Sequence, residues 1–176
     1  MPTLEEVTGG TSLTVYSQHT DLAGLGAFTG KISVQELKKI GVKGTLLNHS
    51  ERKIPFSILK KIVADCKKNR LIVVICASSL EEANHVAALK PDYLAYEPPE
   101  LIGGNVSVTK AKPEVIVKAV ELIKKISPKT KVLCGAGVHS REDILKALQL
   151  GTKGVLIGHA VPKAKDPAKF LREMLR

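Results

Sequence analysis

Residues 55–76 read PFSILKKIVADCKKNRLIVVIC, and two periodicities meet inside them. From Pro55 to Lys68, the apolar residues Ile58, Ile62, Val63 and Cys66 recur at helical spacing, with Lys60-Lys61 among them and Lys67-Lys68 after them. That pattern predicts an amphipathic helix. Leu71 to Cys76 is then apolar without interruption. A short run of that kind, rich in β-branched residues, fits a strand covered on both faces, as parallel strands are. Helix followed by buried strand is the repeating step of a parallel α/β protein.

The same step recurs on either side. Apolar runs at Leu13–Ser17, Gly44–Leu47, Tyr93–Tyr96, Val132–Cys134 and Val155–Ile157 predict five more strands. Val115, Ile116, Ala119, Val120 and Ile123 predict a helix within Pro113–Ile126, and Ile144, Leu145, Leu148 and Leu150 predict one after Ser140. Pro113 suits a first helical turn, Ser140–Asp143 matches a capping box, and Gly41 and Gly151 stand where helices should stop. Thr3-Leu-Glu-Glu6 is also a capping-box pattern, followed by Gly9-Gly10, so a short helix is expected first, with no strand before it. The expectation is one α/β domain over residues 1–176, made of six strand–helix units with right-handed crossovers. A doubly wound sheet and a β/α barrel both satisfy this periodicity.

Composition narrows the function. With 27 Lys+Arg against 17 Asp+Glu in 176 residues, the formal net charge is +10. A nucleic-acid partner is not expected, because 22 of the 27 cations are lysines spread as doublets and aromatic residues are only 3% with no Trp. The charge suits a small anionic substrate equally well. Cys66, Cys76 and Cys134 have neither metal-ligand nor disulfide spacing, and the five His form no HxxxH pattern. A reducing, cytoplasmic setting is expected, with no metal and no cofactor. The longest apolar run, Leu71–Ala77, is too short to span a bilayer, so no membrane partner is expected.

In either architecture the chemistry belongs at the C-terminal ends of the strands. Those positions read Gln18-His19, Asn48-His49-Ser50-Glu51-Arg52, Glu97-Pro98-Pro99-Glu100-Leu101-Ile102-Gly103-Gly104, Gly135-Ala136-Gly137 and Gly158-His159-Ala160. His49 precedes Ser50-Glu51, where a short helix could begin; a helix N-terminus disfavours imidazolium and suits a neutral hydrogen-bond donor. Glu97 is a carboxylate at a strand end, ahead of a Pro-rich, Gly-flanked segment with the composition of a lid. The last two loops are Gly-rich, which lets backbone N–H groups approach an anion.

Five segments, GAFTGKIS (26–33), GTLLNHSERK (44–53), AYEPPELIGG (95–104), VLCGAGVHS (132–140) and GVLIGHAVPKAKDP (154–167), resemble the triosephosphate isomerase family, its short archaeal type above all. They stand in the family's order and cover nearly the whole chain. The resemblance implies a TIM (β/α)8 barrel, here incomplete, with the equivalents of β3 to β8. It implies interconversion of glyceraldehyde 3-phosphate and dihydroxyacetone phosphate through an enediol(ate). Carried over, Glu97 is the base and His49 the neutral electrophile. Glu51 is the carboxylate beside that histidine, paired in the family with an active-site lysine. Ile102 packs over the base within a lid from Pro98 to Gly104, and Gly103 offers an N–H to phosphate. Gly135, Ala136, Gly137, Gly158 and His159 form the remaining phosphate loops, and Phe28 and Thr29 lie in the loop that enters a neighbouring subunit.

The sequence departs from the family at three points. Gly103-Gly104-Asn105 stands where Gly-Thr-Gly is usual, and His159 where Gly or Ser is usual. The family's Asn-x-Lys segment is not found, because the chain opens at what resembles the second helix. An isomerase, a phosphate-binding remnant without turnover, and a fragment that folds only by association are therefore competing readings. Six strands of an eight-stranded barrel leave open edges, so the expected partners are a small phosphorylated triose and either further copies of the chain, as a dimer or tetramer, or a complementing N-terminal fragment.

Overall fold

The computed structural model describes residues 9–98 and 113–175. The described elements alternate along the chain: β1 (Tyr16–Ser17), α1 (Val34–Lys39), β2 (Gly44–Leu47), α2 (Phe56–Lys68), β3 (Ile72–Ala77), α3 (Leu80–Ala87), β4 (Tyr93–Tyr96), α4 (Pro113–Ile126), β5 (Lys131–Cys134), α5 (Arg141–Gln149) and α6 (Pro167–Leu175). The chain forms two compact units, Met1–Ile75 and Cys76–Arg176. The expected helix at Thr3–Glu6 lies outside the described residues.

In the first unit, β1, β2 and β3 pair in that order and all run parallel, with Tyr16 opposite Gly44 and Gly44 opposite Ile72. Gly44 is needed there. A Cβ on it would stand 2.9 Å from the Ile72 carbonyl oxygen and 3.0 Å from the Tyr16 ring. β1 is shorter than the Leu13–Ser17 run predicts, because only Val15 extends the pairing, by accepting from the Lys43 N–H at 3.0 Å; Leu13 is exposed. α1 begins with a capping box, in which Ser33 Oγ accepts from the Glu36 N–H while Glu36 accepts from the Ser33 N–H. α2 buries Leu59, Ile62, Val63 and Cys66. Leu59, rather than the expected Ile58, completes that stripe.

In the second unit β4 and β5 run parallel, with Tyr93 opposite Lys131 and Tyr96 opposite Cys134. Their lower ends are tied by Thr130 Oγ1, which donates to the Pro91 carbonyl at 2.7 Å, and by the Lys131 N–H, which donates to the Asp92 carbonyl at 3.0 Å. α4 buries Ile116, Ala119 and Ile123, the i, i+3, i+7 stripe that its sequence predicts. Each isoleucine contributes about 1.5–3 kcal/mol by leaving water. The run Val155–Ile157 does not become a regular strand. It follows β5 through one bridge, Cys134 to Val155, and through the Leu156 N–H donating to the Cys134 carbonyl at 2.9 Å. The bridge is not continued through Leu156–Gly158, and a turn begins at His159.

α5 corrects a further expectation. Its inward residues are Asp143 and Ala147, with Ile144 and Leu150 half-buried, while Leu145 and Leu148 are exposed. The cap decides this. Ser140 Oγ accepts from the Asp143 N–H, and Asp143 Oδ2 accepts from the N–H groups of His139 and Ser140 and from Ser140 Oγ, which holds Asp143 inside. At about 100° per residue, positions 145 and 148 then lie about 200° and 140° from Asp143, on the outer face.

Candidate functional site

In the first unit the candidate residues follow β2. Asn48 turns the chain at φ 60°, in the left-handed region that Asn tolerates better than most residues. Its side-chain oxygen accepts from the Ile54 N–H at 3.0 Å and closes the loop from inside. The expected short helix after His49 is instead a single turn, with the Arg52 N–H donating to the His49 carbonyl at 2.9 Å. Ile54 precedes a proline, which disfavours helical backbone there, so the helix waits until Phe56.

That turn fixes the His49 tautomer. The Glu51 backbone N–H donates to His49 Nδ1 at 3.3 Å. A backbone N–H can only donate, so Nδ1 accepts and the ring proton belongs on Nε2. The Glu51 carboxylate stands 3.6 Å from Nδ1, beyond hydrogen-bonding distance, and its side chain is 88% exposed. His49 is thus arranged with Nδ1 as the acceptor and Nε2 as the ring nitrogen that donates.

Behind the turn sits a charge cluster that sequence reading missed. Asp21 is buried, and its Oδ1 meets His19 Nε2 at 3.4 Å, Lys31 Nζ at 3.3 Å and Arg52 Nη2 at 3.3 Å. Its Oδ2 accepts from the Ile32 N–H at 3.0 Å. Burial pushes the Asp21 carboxyl up, but the Ile32 N–H, the Lys31 ammonium and His19 together outweigh it and hold the group below its ordinary value. Burial, helped by the Arg52 charge, lowers His19 against the opposing pull of Asp21. A signal was present in the short spacing of His19-Thr-Asp21, but nothing in the sequence tied it to Arg52, 31 residues away.

In the second unit the central residue is Glu97, one residue past β4 and only 3% exposed. Its backbone is held on one side by its own N–H, which donates to the Ala77 carbonyl at 2.8 Å. On the other side the Gly135 N–H donates to the Tyr96 carbonyl at 3.1 Å. Gly135 leaves the space that the carboxylate occupies: a Cβ on Gly135 would stand 2.6 Å from Glu97 Oε1. Gly137 lies at φ 64° and reverses the loop. Ala136 is fully buried with Cys134, Val138, Ile116, Ala147 and Met174, so its methyl belongs to the core and its backbone to the loop. Gly158 faces open space, and the rings of His159 and His139 meet edge to face with centroids 5.8 Å apart.

Pro98 is described, but the rest of the expected lid, including Ile102 and Gly103, lies outside the described residues. Phe28 and Thr29 lie on an exposed loop. Among the described residues there is no cluster of three or more His, Cys, Asp or Glu suited to a metal, and no helix long and apolar enough to cross a membrane.

Parallel strands in sequence order, each followed by a helix, with a buried carboxylate and a half-buried histidine one or two residues beyond strand ends, define a β/α protein with its candidate acid–base residues at strand ends. The model of the family Triosephosphate isomerase matches residues 1–174. Curated archaeal relatives carry the same name. Those of Methanothermus fervidus and Methanosarcina mazei are each 42% identical, over 98% and 100% of this chain and 78% and 79% of their own. The relative from Archaeoglobus fulgidus is 41% identical over 93% of this chain and 74% of its own. The chain belongs to the triosephosphate isomerase family.

Proposed function

We propose that the chain interconverts glyceraldehyde 3-phosphate and dihydroxyacetone phosphate, with Glu97 as the proton-transferring base. The division of roles is the family's established one. The Glu97 carboxylate takes a proton from the carbon beside the substrate carbonyl and returns it to the neighbouring carbon. His49, donating from Nε2, stabilises the oxygen on which negative charge develops. The loops Gly135–Gly137 and Gly158–His159 offer backbone N–H groups to the phosphate, as does Gly103 from the lid, while Ile102 packs over the base. No cofactor enters this chemistry.

The observation that carries the reading is the housing of Glu97. A carboxylate 3% exposed, with a glycine opposite to make room for it, is costly to keep unless it is used. The test is turnover of the purified chain in a coupled isomerase assay; an inactive, folded chain would favour the phosphate-binding remnant instead. We further propose that residues 1–176 act as one barrel-type domain, in the cytoplasm, and that the chain self-associates through the loop bearing Phe28 and Thr29. The exposed Leu22, Leu25, Phe28 and Ile32 support an interface there. A monomer by light scattering at micromolar concentration would refute it.

A further inference from the structure

We propose that Asp21 is a positioning residue for His49 and acts through Arg52. The proposal rests on the reading of His49 as the neutral donor. The chain of contacts is continuous within the first unit. The segment bearing Asp21 is pinned twice to Ile32: the Asp21 N–H donates to the Ile32 carbonyl at 2.8 Å, and Thr20 Oγ1 donates to the same oxygen at 2.9 Å. Asp21 Oδ2 accepts from the Ile32 N–H in return. The carboxylate is therefore fixed before any cation reaches it. Arg52 Nη2 then meets Oδ1 at 3.3 Å, while the Arg52 backbone N–H closes the turn on the His49 carbonyl at 2.9 Å. Inside that turn the Glu51 N–H meets His49 Nδ1 at 3.3 Å. One residue, Arg52, thus links a buried anion to the turn that selects the imidazole tautomer.

The charge count strengthens the link. Asp21 is the shared carboxylate for Lys31 and Arg52, whose side chains are 52% and 59% exposed and so have water as an alternative. Neutralising Asp21 leaves two permanent cations about one common point with nothing between them, and both move outward. The Arg52 side chain then pulls on the turn that its own backbone N–H closes on the His49 carbonyl. The Glu51 N–H leaves Nδ1, and the preference for a proton on Nε2 falls away. Asn at position 21 preserves shape and the bond from Ile32, so the lost charge is what the substitution reads.

The experiment follows ring nitrogens by long-range proton–nitrogen NMR, with His49 assigned by its loss in His49→Gln, and runs turnover in parallel. The wild-type chain should show His49 as the Nε2–H tautomer. Asp21→Asn and Arg52→Gln should both mix the two tautomers and lower kcat about tenfold, with KM changed less than threefold. Thr20→Val, which cuts the same segment's tie to Ile32 without touching charge, should leave the His49 tautomer as it was. Arg52 is exposed, so its variant folds even if Asp21→Asn does not. The proposal is overturned by an Nδ1–H tautomer in the wild type, by an unchanged His49 in both charge variants, or by an equal effect from Thr20→Val. A chain without turnover refutes the isomerase reading, while the tautomer still reports on Asp21.

Discussion

Replacing Gly135 with alanine places a methyl group where the Glu97 carboxylate now lies. The new Cβ would stand 2.6 Å from Oε1 and 2.9 Å from Cδ, where ordinary contact begins at 3.4 Å. Glu97 Cγ lies nearer still, so the side chain must retreat by about 1 Å. The backbone has little freedom to share the shift. The Gly135 N–H is bound to the Tyr96 carbonyl, and the Glu97 N–H to the Ala77 carbonyl. The displacement falls on the Glu97 side chain, whose position is what the proposed proton transfer needs. A misplacement near 1 Å costs about 10²-fold in rate, or about 2.7 kcal/mol in barrier. Crowding adds a stability cost of about 1–3 kcal/mol. Gly135→Ala should then lower kcat about 10²-fold in a coupled assay while the protein still melts cooperatively. Gly24→Ala is the control, since its Cβ meets only the Phe28 ring, at 4.0 Å, and it should be as active as wild type. A folded Gly135→Ala protein with kcat within threefold of wild type would refute the reasoning.

Three further outcomes are expected. Ser140→Ala removes the capping box of α5 and should cost about 1 kcal/mol, read as a lower urea midpoint. Burial, the leading cause for both, pushes the Cys66 thiol up to about 12 and the Cys134 thiol up to about 11, and Cys76 is buried too. At pH 8 none of the three should react with an aromatic disulfide reagent until the protein is unfolded, and rapid labelling of the native chain would count against the packing. His19 is held below its ordinary value of 6.5, so the unfolded chain takes up the proton first; stability should decline as pH falls through 6.5 toward the folded value, and His19→Asn should flatten that decline. Asp21, held below 3.8, adds a second loss only under that pH.

The readable parts of the fold were those with one dominant pattern. Gly44–Leu47 and Tyr93–Tyr96 match β2 and β4 residue for residue, because apolar side chains on both faces leave no alternative. Pro113 and the Ser140–Asp143 box mark helix starts correctly because capping is local chemistry. Reading failed where tertiary structure decides. Leu145 and Leu148 look like a core stripe, but the buried Asp143 sets the rotation of α5. Val155–Ile157 has strand composition but only one bridged residue, at Val155. At the candidate site, the positions of Glu97 and His49 just beyond strand ends could be read from the sequence. The space left by Gly135, the left-handed turn at Asn48 and the Asp21–Arg52 contact could not, because each joins residues by geometry that spacing does not encode.

Glu97 is the residue proposed to move the proton. Dihydroxyacetone phosphate incubated with the chain in deuterated water, followed by NMR, reads that step directly, before and apart from net isomerisation. Wild-type protein should exchange a carbon-bound proton of the substrate for deuterium. Glu97→Gln, which keeps the size of the side chain and removes its basicity, should slow the exchange by about 10²–10⁴-fold. Exchange at the wild-type rate in folded Glu97→Gln protein would contradict the assignment.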